Sequence, residues 1–181
     1  MQLTDQQIQN VVKKVIDEMN QKMQGRSSGT WLQEGSQAIK GHNPKEVGIG
    51  IGPAFGKKIH HTINGLNVVD VLKEIMAGIE EEGMIPKVVR VLRTSDVCFM
   101  GNDTAKLMGS GIAIGLQSKG TAVIHQKDLY PLTNLELFPQ APLLTLELYR
   151  IIGKNAAKYA KGERVIPVSY THLRAHETLA N

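Results

Sequence analysis

The sequence predicts an α/β fold: an open, mainly parallel sheet with flanking helices, preceded by a tethered amphipathic N-terminal helix. Two observations lead to this prediction. From Val47 onward, short apolar runs alternate with amphipathic stretches of helical length, which is the order expected of strands joined by crossover helices. Residues 1–46 differ from the rest in composition. With 181 residues, the chain has room for one ordinary domain and modest extensions.

Residues 1–46 are predicted to form a short amphipathic helix and a flexible linker. Apolar residues from Leu3 to Met23 recur at helical spacing, and Thr4 with Gln7 is typical of a capping box. The remainder is rich in Gly, Ser, Gln, Asn and Lys, a composition typical of tethers. The apolar stripe needs a partner surface, and two interpretations stay open: docking on its own core or a sister subunit, or binding another protein as a peptide.

The core is predicted to span residues 47–167. Its predicted strands are VGIGIG, KVVRVL, GIAIGL and TAVIH, with only QSKG between the last two. The first strand ends in GPAFG, where glycine permits a tight turn and proline lacks a backbone donor. One helix carries apolar residues from Val68 to Ile79 and ends before Gly83, and its Glu-Glu-Glu run is predicted to be a solvated end.

Two further helices complete the predicted core. One begins near Val97, capped by Ser95 or Asp96, and ends at Gly109. The last spans residues 142–161, with a row of apolar residues on one side. The alternation of strand and helix favours a Rossmann-like sheet.

Composition and charge argue against several classes of protein. Hydrophobic residues make up 41% of the chain, but no apolar run approaches the ~20 residues that span a bilayer. The start lacks the features of a secretory signal, so we expect a cytoplasmic protein. The single cysteine, Cys98, is predicted to be a small buried residue. The net charge of +4 comes from scattered residues without interleaved aromatics, which argues against nucleic-acid binding.

Familiar catalytic and metal motifs do not account for the chain. GIGIGPAFG lacks the spacing of a dinucleotide or phosphate loop, so a strand-ending turn is predicted. His172 and His176 stand four apart, but they lie in a tail that looks foreign, and no metal is assigned to them. His60, His61 and His125 lack supporting cysteines or carboxylates. No serine lies in a nucleophile elbow, so the sequence does not support a Ser-His-Asp apparatus.

Five motifs occur in a specific order. They are GPAFG at 52–56, AGIEEEG at 77–83, RTSDV at 93–97, GSGI at 109–112 and GLQSKGTAVIHQKDLYPLTNLELFPQAPLLTLELY at 115–149. Together they resemble the medium subunit of adenosylcobalamin-dependent diol and glycerol dehydratases, over about residues 47–161. Each motif is short, but their order and spacing make the resemblance specific.

The resemblance implies that the chain helps to hold adenosylcobalamin during the radical dehydration of 1,2-diols or glycerol to aldehydes. It implies that the large subunit covers the upper side of the cofactor and holds the catalytic residues, while this chain contacts the lower side. Corrin amides need donors and acceptors, and the corrin face needs aliphatic contacts. The matching positions are Asp96, Lys119, Thr121, Leu132, Asn134 and Pro139. Without the resemblance, Asp96 is a helix cap, Lys119 a solvated charge and Asn134 a turn residue.

The resemblance also implies partners. It implies a hetero-oligomer with large and small dehydratase subunits, expected as a dimer of heterotrimers, and contact with a reactivating factor. It also implies that N-terminal extensions direct packing into bacterial microcompartments. This corresponds to the partner-binding interpretation of residues 1–46, with shell proteins as the partners. Two rival functions stay open: the small subunit of the reactivating factor, and an unrelated small-molecule-binding module. QSKG and YPLTNLELFPQAPLL match the enzyme subunit.

Residues 168–181, VSYTHLRAHETLAN, break the resemblance. They look like the translation of a sequencing adapter, and we expect them to stand in place of the true C-terminal region. In the family this region adds sheet and subunit contacts. The preference for glycerol or propane-1,2-diol is left open.

Overall fold

The computed structural model describes residues 37–139 and 144–165, all within one unit, Leu32–Asn181. The predicted N-terminal helix and the tail 168–181, with its two histidines, lie outside the described residues. Within the described ranges, no helix is long and apolar enough to cross a membrane.

The described chain forms five strands and three helices. The strands are β1 Glu46–Ile51, β2 Ile85–Arg90, β3 Ile112–Leu116, β4 Ala122–Gln126 and β5 Glu136–Phe138. The helices are α1 Val68–Glu81, α2 Val97–Leu107 and α3 Leu146–Lys161. The first four strands and all three helices lie within a few residues of their predicted positions, whereas β5 was not predicted.

The sheet has the order β2-β1-β3-β4-β5 and is mixed. β1 pairs in parallel with both β2 and β3, while the β3–β4 and β4–β5 pairings are antiparallel. The length of the connections explains this difference. Helices join β1 to β2 and β2 to β3, but the short QSKG turn between β3 and β4 can join only antiparallel strands. The α/β sheet with flanking helices is confirmed, and its parallel part is confined to β1, β2 and β3.

The helices cover both faces of the sheet. α1 and α3 pack together on one face, and α2 covers β1, β3 and β4 on the other. Gly48 and Gly50 of β1 leave room for Thr104 of α2, whose side chain a Cβ atom at either glycine would overlap. The apolar side chains between the layers are fully buried, among them Ile49, Ile51, Ile75, Ile114, Leu116, Ile124 and Ile152.

Each helix begins at a side-chain cap. Asn67, Asp96 and Thr145 accept hydrogen bonds from backbone N–H groups in the first turns of α1, α2 and α3, which satisfies donors that have no partner within the helix. α3 ends at Gly162, whose left-handed φ of 70° suits a residue without a Cβ atom.

The Glu-Glu-Glu run at the end of α1 is more than a solvated helix end. Glu81 accepts hydrogen bonds from Arg150 and forms an ion pair with Lys154, at 2.8 Å. Glu82 pairs with Lys161 at 2.9 Å. All three cations lie on α3, so these charges tie the two helices together along their exposed side.

Candidate functional site

A cleft lies at one end of the sheet, at the point where the chain reverses the direction in which it adds strands. From β1, which lies between β2 and β3, the chain passes to β2 on one side and then crosses to β3 on the other. In open α/β sheets, ligands bind outside the carboxyl ends of the strands at such a reversal. The cleft has a volume of about 300 Å³ and is lined by Gly52, Pro53, Ala54, Ile59, Ser95, Met100, Gln117, Ser118 and Lys119. We call this side of the molecule the carboxyl edge.

The turn that carries Lys119 is fixed from three directions. The Gln117 side-chain amide donates to the Ser95 carbonyl at 2.7 Å. The Ile63 N–H donates to the carbonyl of Lys119 at 3.0 Å, and the Tyr149 hydroxyl donates to the carbonyl of Gly120 at 2.7 Å. The Lys119 side chain itself is exposed, so a charged amine is presented on a backbone with defined geometry.

Asp96 lies beside this turn and caps α2, as the sequence suggests. Its Oδ1 atom accepts hydrogen bonds from the N–H groups of Cys98, at 2.9 Å, and Phe99, at 3.0 Å. No donor in the described part of the chain is bonded to Oδ2. The carboxylate therefore keeps one oxygen for an external donor while it caps the helix.

Asn134 lies beside Cys98, which is in the turn of α2 that Asp96 caps. Its side chain lies within hydrogen-bonding reach of the Cys98 thiol. Burial and the nearby carboxylate of Asp96 raise the pKa of Cys98, and the hydrogen bond with Asn134 opposes them to a smaller extent. Cys98 is half-buried and stays a neutral thiol at pH 7, which argues against a nucleophilic role.

Buried polar side chains anchor the loop 127–135, which carries Leu132 and Asn134. The Asn102 amide donates to the Leu129 carbonyl at 3.2 Å. The fully buried ring of His125 has Nε2 at 3.3 Å from the Pro131 carbonyl and Nδ1 at 2.8 Å from the Gln126 carbonyl. Leu132 follows directly and is 58% exposed. An apolar side chain is thus presented to solvent by a backbone bound to the core.

Thr121 and Pro139 lie at the same edge of the sheet. The carbonyl of Thr121 accepts from the Gln117 N–H at 2.9 Å and closes the turn between β3 and β4. Pro139 follows Phe138, which is paired with Ala122 at the start of β4. The fold therefore gathers Asp96, Lys119, Thr121, Asn134 and Pro139 at the carboxyl edge, while Leu132 projects from the loop on the α2 side.

Sequence analysis missed two contributors to this edge. Ile63 acts through its backbone N–H, and Tyr149 through a hydroxyl that reaches across the fold from α3. Local spacing assigns Tyr149 only to the apolar row of the last helix. A tyrosine among buried aliphatic residues was the available signal, because a buried hydroxyl needs a partner.

Comparisons with known proteins agree on the fold, and one of them gives the family. A family model described as dehydratase medium subunit matches residues 52–165, a range that includes all six predicted site residues. A structure of a glycerol dehydratase reactivase is 18% identical, covers 66% of this chain and 94% of its own, and has a TM-score of 0.55. A structure of a diol dehydratase-reactivating factor complexed with ADP and Mg²⁺ is 20% identical, with the same coverage and a TM-score of 0.51. At these identities, the two structures show a shared fold alone.

Proposed function

The chain belongs to the dehydratase medium subunit family, and from this we propose that it is the medium subunit of an adenosylcobalamin-dependent diol or glycerol dehydratase. Its carboxyl edge binds one side of the cofactor. The observation that carries this proposal is the fixed turn of Lys119 beside the free oxygen of Asp96, within the range that the family model matches.

The residues at this edge fit an amide-fringed, largely apolar ligand. Lys119 offers a donor, Oδ2 of Asp96 an acceptor and Asn134 both. Leu132, which lies outside this edge on the loop 127–135, adds an exposed aliphatic surface. The cleft of about 300 Å³ is at the small end for ligand sites, so it cannot enclose a cobalamin. An open surface of this kind fits a subunit that covers one side of the cofactor while a neighbour covers the other.

When bound, adenosylcobalamin supplies the radical that begins the dehydration. The residues of this chain bind and orient. The Lys119 ammonium donates to an amide carbonyl at the corrin edge, and Asp96 accepts from an amide N–H. Leu132 and Pro139 pack against apolar surface, and Thr121 and Asn134 offer further polar contacts. The Lys119 turn and the loop 127–135 are already anchored to the core, so binding costs little entropy for ordering their backbones.

We also propose partners for this chain. A large subunit covers the exposed side of the cofactor and holds substrate and catalytic residues, so this chain is a non-catalytic part of the enzyme. A small subunit completes a heterotrimer, two of which form the complex, and a reactivating factor exchanges damaged cofactor. The enzyme works in the cytoplasm on glycerol or propane-1,2-diol.

Cofactor binding by the apo complex provides the test. The chain is co-expressed with candidate large and small subunits, and the dissociation constant for adenosylcobalamin is measured for wild type, Lys119→Ala and Asp96→Ser. A charge-assisted hydrogen bond is worth about 1.5–3 kcal/mol, so we expect each variant to bind roughly tenfold or more weakly without loss of assembly. Lys106→Ala, at the opposite edge of the sheet, is the matched control and should bind like wild type.

Two outcomes would contradict the proposal. Unchanged affinity in both variants would show that Lys119 and Asp96 do not make the contacts assigned to them. Stable co-purification with an ATP-binding partner, and not with a large dehydratase subunit, would favour the reactivating factor instead.

The N-terminal segment is proposed to direct the enzyme into a bacterial microcompartment by binding a shell protein. Deleting residues 1–40 should leave cofactor binding intact and abolish encapsulation. If the enzyme is still encapsulated after the deletion, the segment does not direct encapsulation, and docking on the enzyme is its remaining role.

A further inference from the structure

We propose that Tyr149 is a positioning residue that sets the geometry of the Lys119 side chain and so tunes cofactor affinity without touching the cofactor. This inference rests on the proposed function, because it concerns the same contact. It assigns a binding role to a fully buried side chain on α3.

The Tyr149 hydroxyl donates to the carbonyl of Gly120 at 2.7 Å, and this bond is buried. Gly120 directly follows Lys119, so the peptide group that joins these two residues lies next to the anchored carbonyl. Loss of the bond would leave a buried carbonyl without this donor, and the turn would have to move to regain one.

The turn packs closely against Tyr149. Gly120 has a φ of 109°, which L side chains rarely adopt. A Cβ atom on Gly120 would lie 2.7 Å from the Tyr149 hydroxyl and 3.0 Å from Thr62. Glycine at this position allows the backbone to approach close enough for the hydroxyl to bind it.

The groups that anchor the turn are linked to one another. Ile63, which donates to the Lys119 carbonyl, lies between Thr62 and Asn64. The Thr62 hydroxyl bonds to the Asn64 side chain, and the Asn64 amide donates to the Leu144 carbonyl just before α3. The loop that contributes Ile63 and the helix that contributes Tyr149 therefore hold the turn as one unit.

A double-mutant cycle separates positioning from general stabilisation. Wild type, Tyr149→Phe, Lys119→Ala and the double variant are compared as apo complexes, with cyanocobalamin as a probe that is bound but not turned over. Bound and free probe are separated by ultrafiltration and measured by absorbance. Phenylalanine keeps the ring and removes only the hydroxyl, so any loss of affinity for the probe reports the contribution of the hydrogen bond.

We expect Tyr149→Phe to weaken binding about threefold to tenfold when Lys119 is present. In the Lys119→Ala background the same change should alter affinity by less than about twofold, because the side chain that it positions is gone. Tyr159→Phe removes a hydroxyl from the same helix, one that lies near Glu136 rather than the turn. It should bind like wild type in both backgrounds.

The outcomes distinguish this inference from the function on which it rests. Unchanged affinity in Lys119→Ala overturns both the contact and the positioning role. Weakened binding in Lys119→Ala but not in Tyr149→Phe overturns only the role of Tyr149, as does an equal loss from Tyr149→Phe in both backgrounds. If Tyr149→Phe does not assemble, Asn64→Ala, which removes the bond between the Ile63 loop and the start of α3, must show the same dependence on Lys119.

Discussion

Gly78 of α1 and Gly153 of α3 face each other where the two helices cross, and neither has room for a side chain. A Cβ atom at Gly153 would overlap the Ile75 carbonyl oxygen and lie 3.2 Å from the Cα atom of Gly78. A Cβ atom at Gly78 would overlap the Arg150 carbonyl oxygen. The two backbones are therefore in direct contact.

Gly153→Ala should destabilise the protein by about 1–3 kcal/mol, because the added methyl group must push the helices apart. Helix propensity alone predicts the opposite sign, a gain of up to about 1 kcal/mol. Urea unfolding of the two proteins decides which effect is larger. Equal or higher stability in the variant would mean that the helices separate without loss of packing.

The ion pairs beside this crossing predict a dependence of stability on pH. Hydrogen bonds from Arg150 and Lys154 lower the pKa of Glu81 from 4.5 to about 2. A depressed pKa stabilises the folded state above about pH 4.5, and this contribution disappears as the pH falls toward 2. In Glu81→Gln, the urea midpoint should therefore fall less steeply between pH 4.5 and 2 than in wild type.

Glu80→Gln is the control for that experiment, since no ion pair of Glu80 is found in the described part of the chain. It should keep the wild-type slope. The difference between the two variants should shrink in high salt, because these charges are exposed and screened. Identical slopes for wild type and Glu81→Gln would contradict the prediction.

The cap at Asp96 and the contact proposed for it can be separated. Asp96→Ala should lower the free energy of unfolding by about 1 kcal/mol, because it removes the acceptor for the N–H groups of Cys98 and Phe99. Asp96→Ser keeps a good cap but has a shorter side chain, so its stability should be close to wild type. Chemical unfolding checks both values, and a loss in Asp96→Ser equal to that in Asp96→Ala would contradict them.

Arg90 holds the GPAFG turn after β1. One nitrogen, Nη1, donates to the carbonyls of Gly52 at 3.1 Å, Pro53 at 3.2 Å and Phe55 at 2.8 Å. Arg90→Lys should lower stability by about 1.5–3 kcal/mol and speed hydrogen exchange in residues 52–59, because the shorter lysine side chain does not bring its ammonium group within reach of all three carbonyls. Arg93→Lys provides the matched control. Arg93 pairs with Asp103 on the surface, where the loss should be at most about 1 kcal/mol.

Local patterns in the sequence were sufficient to predict most of the fold. Apolar runs marked β1 to β4, and a capping side chain together with helical periodicity placed the start of α2 at Val97, where it lies. By contrast, β5 has only three residues and owes its existence to pairing with β4. A segment that short carries no periodic signal, so the sequence could not reveal it.

The candidate site was predictable only in part, for the same physical reason. The cap of α2 depends on its immediate neighbours, and the sequence leaves Ser95 and Asp96 as candidates, of which Asp96 is the cap. The bonds from Ile63 and Tyr149 to the Lys119 turn join segments far apart in the chain, as do the pairs between Glu81 and α3. Local spacing contains no information about such contacts, and the cofactor contacts themselves stay a prediction.

The bond between Tyr149 and Gly120 has a consequence for synthesis of the protein. The turn leaves the ribosome before the helix that fixes it, so a nascent chain ending at β4 has Lys119 but not its anchor. The turn can reach its final geometry only after α3 has been translated and has docked. A truncated chain that ends before α3 should therefore fail to hold the Lys119 turn in its native conformation.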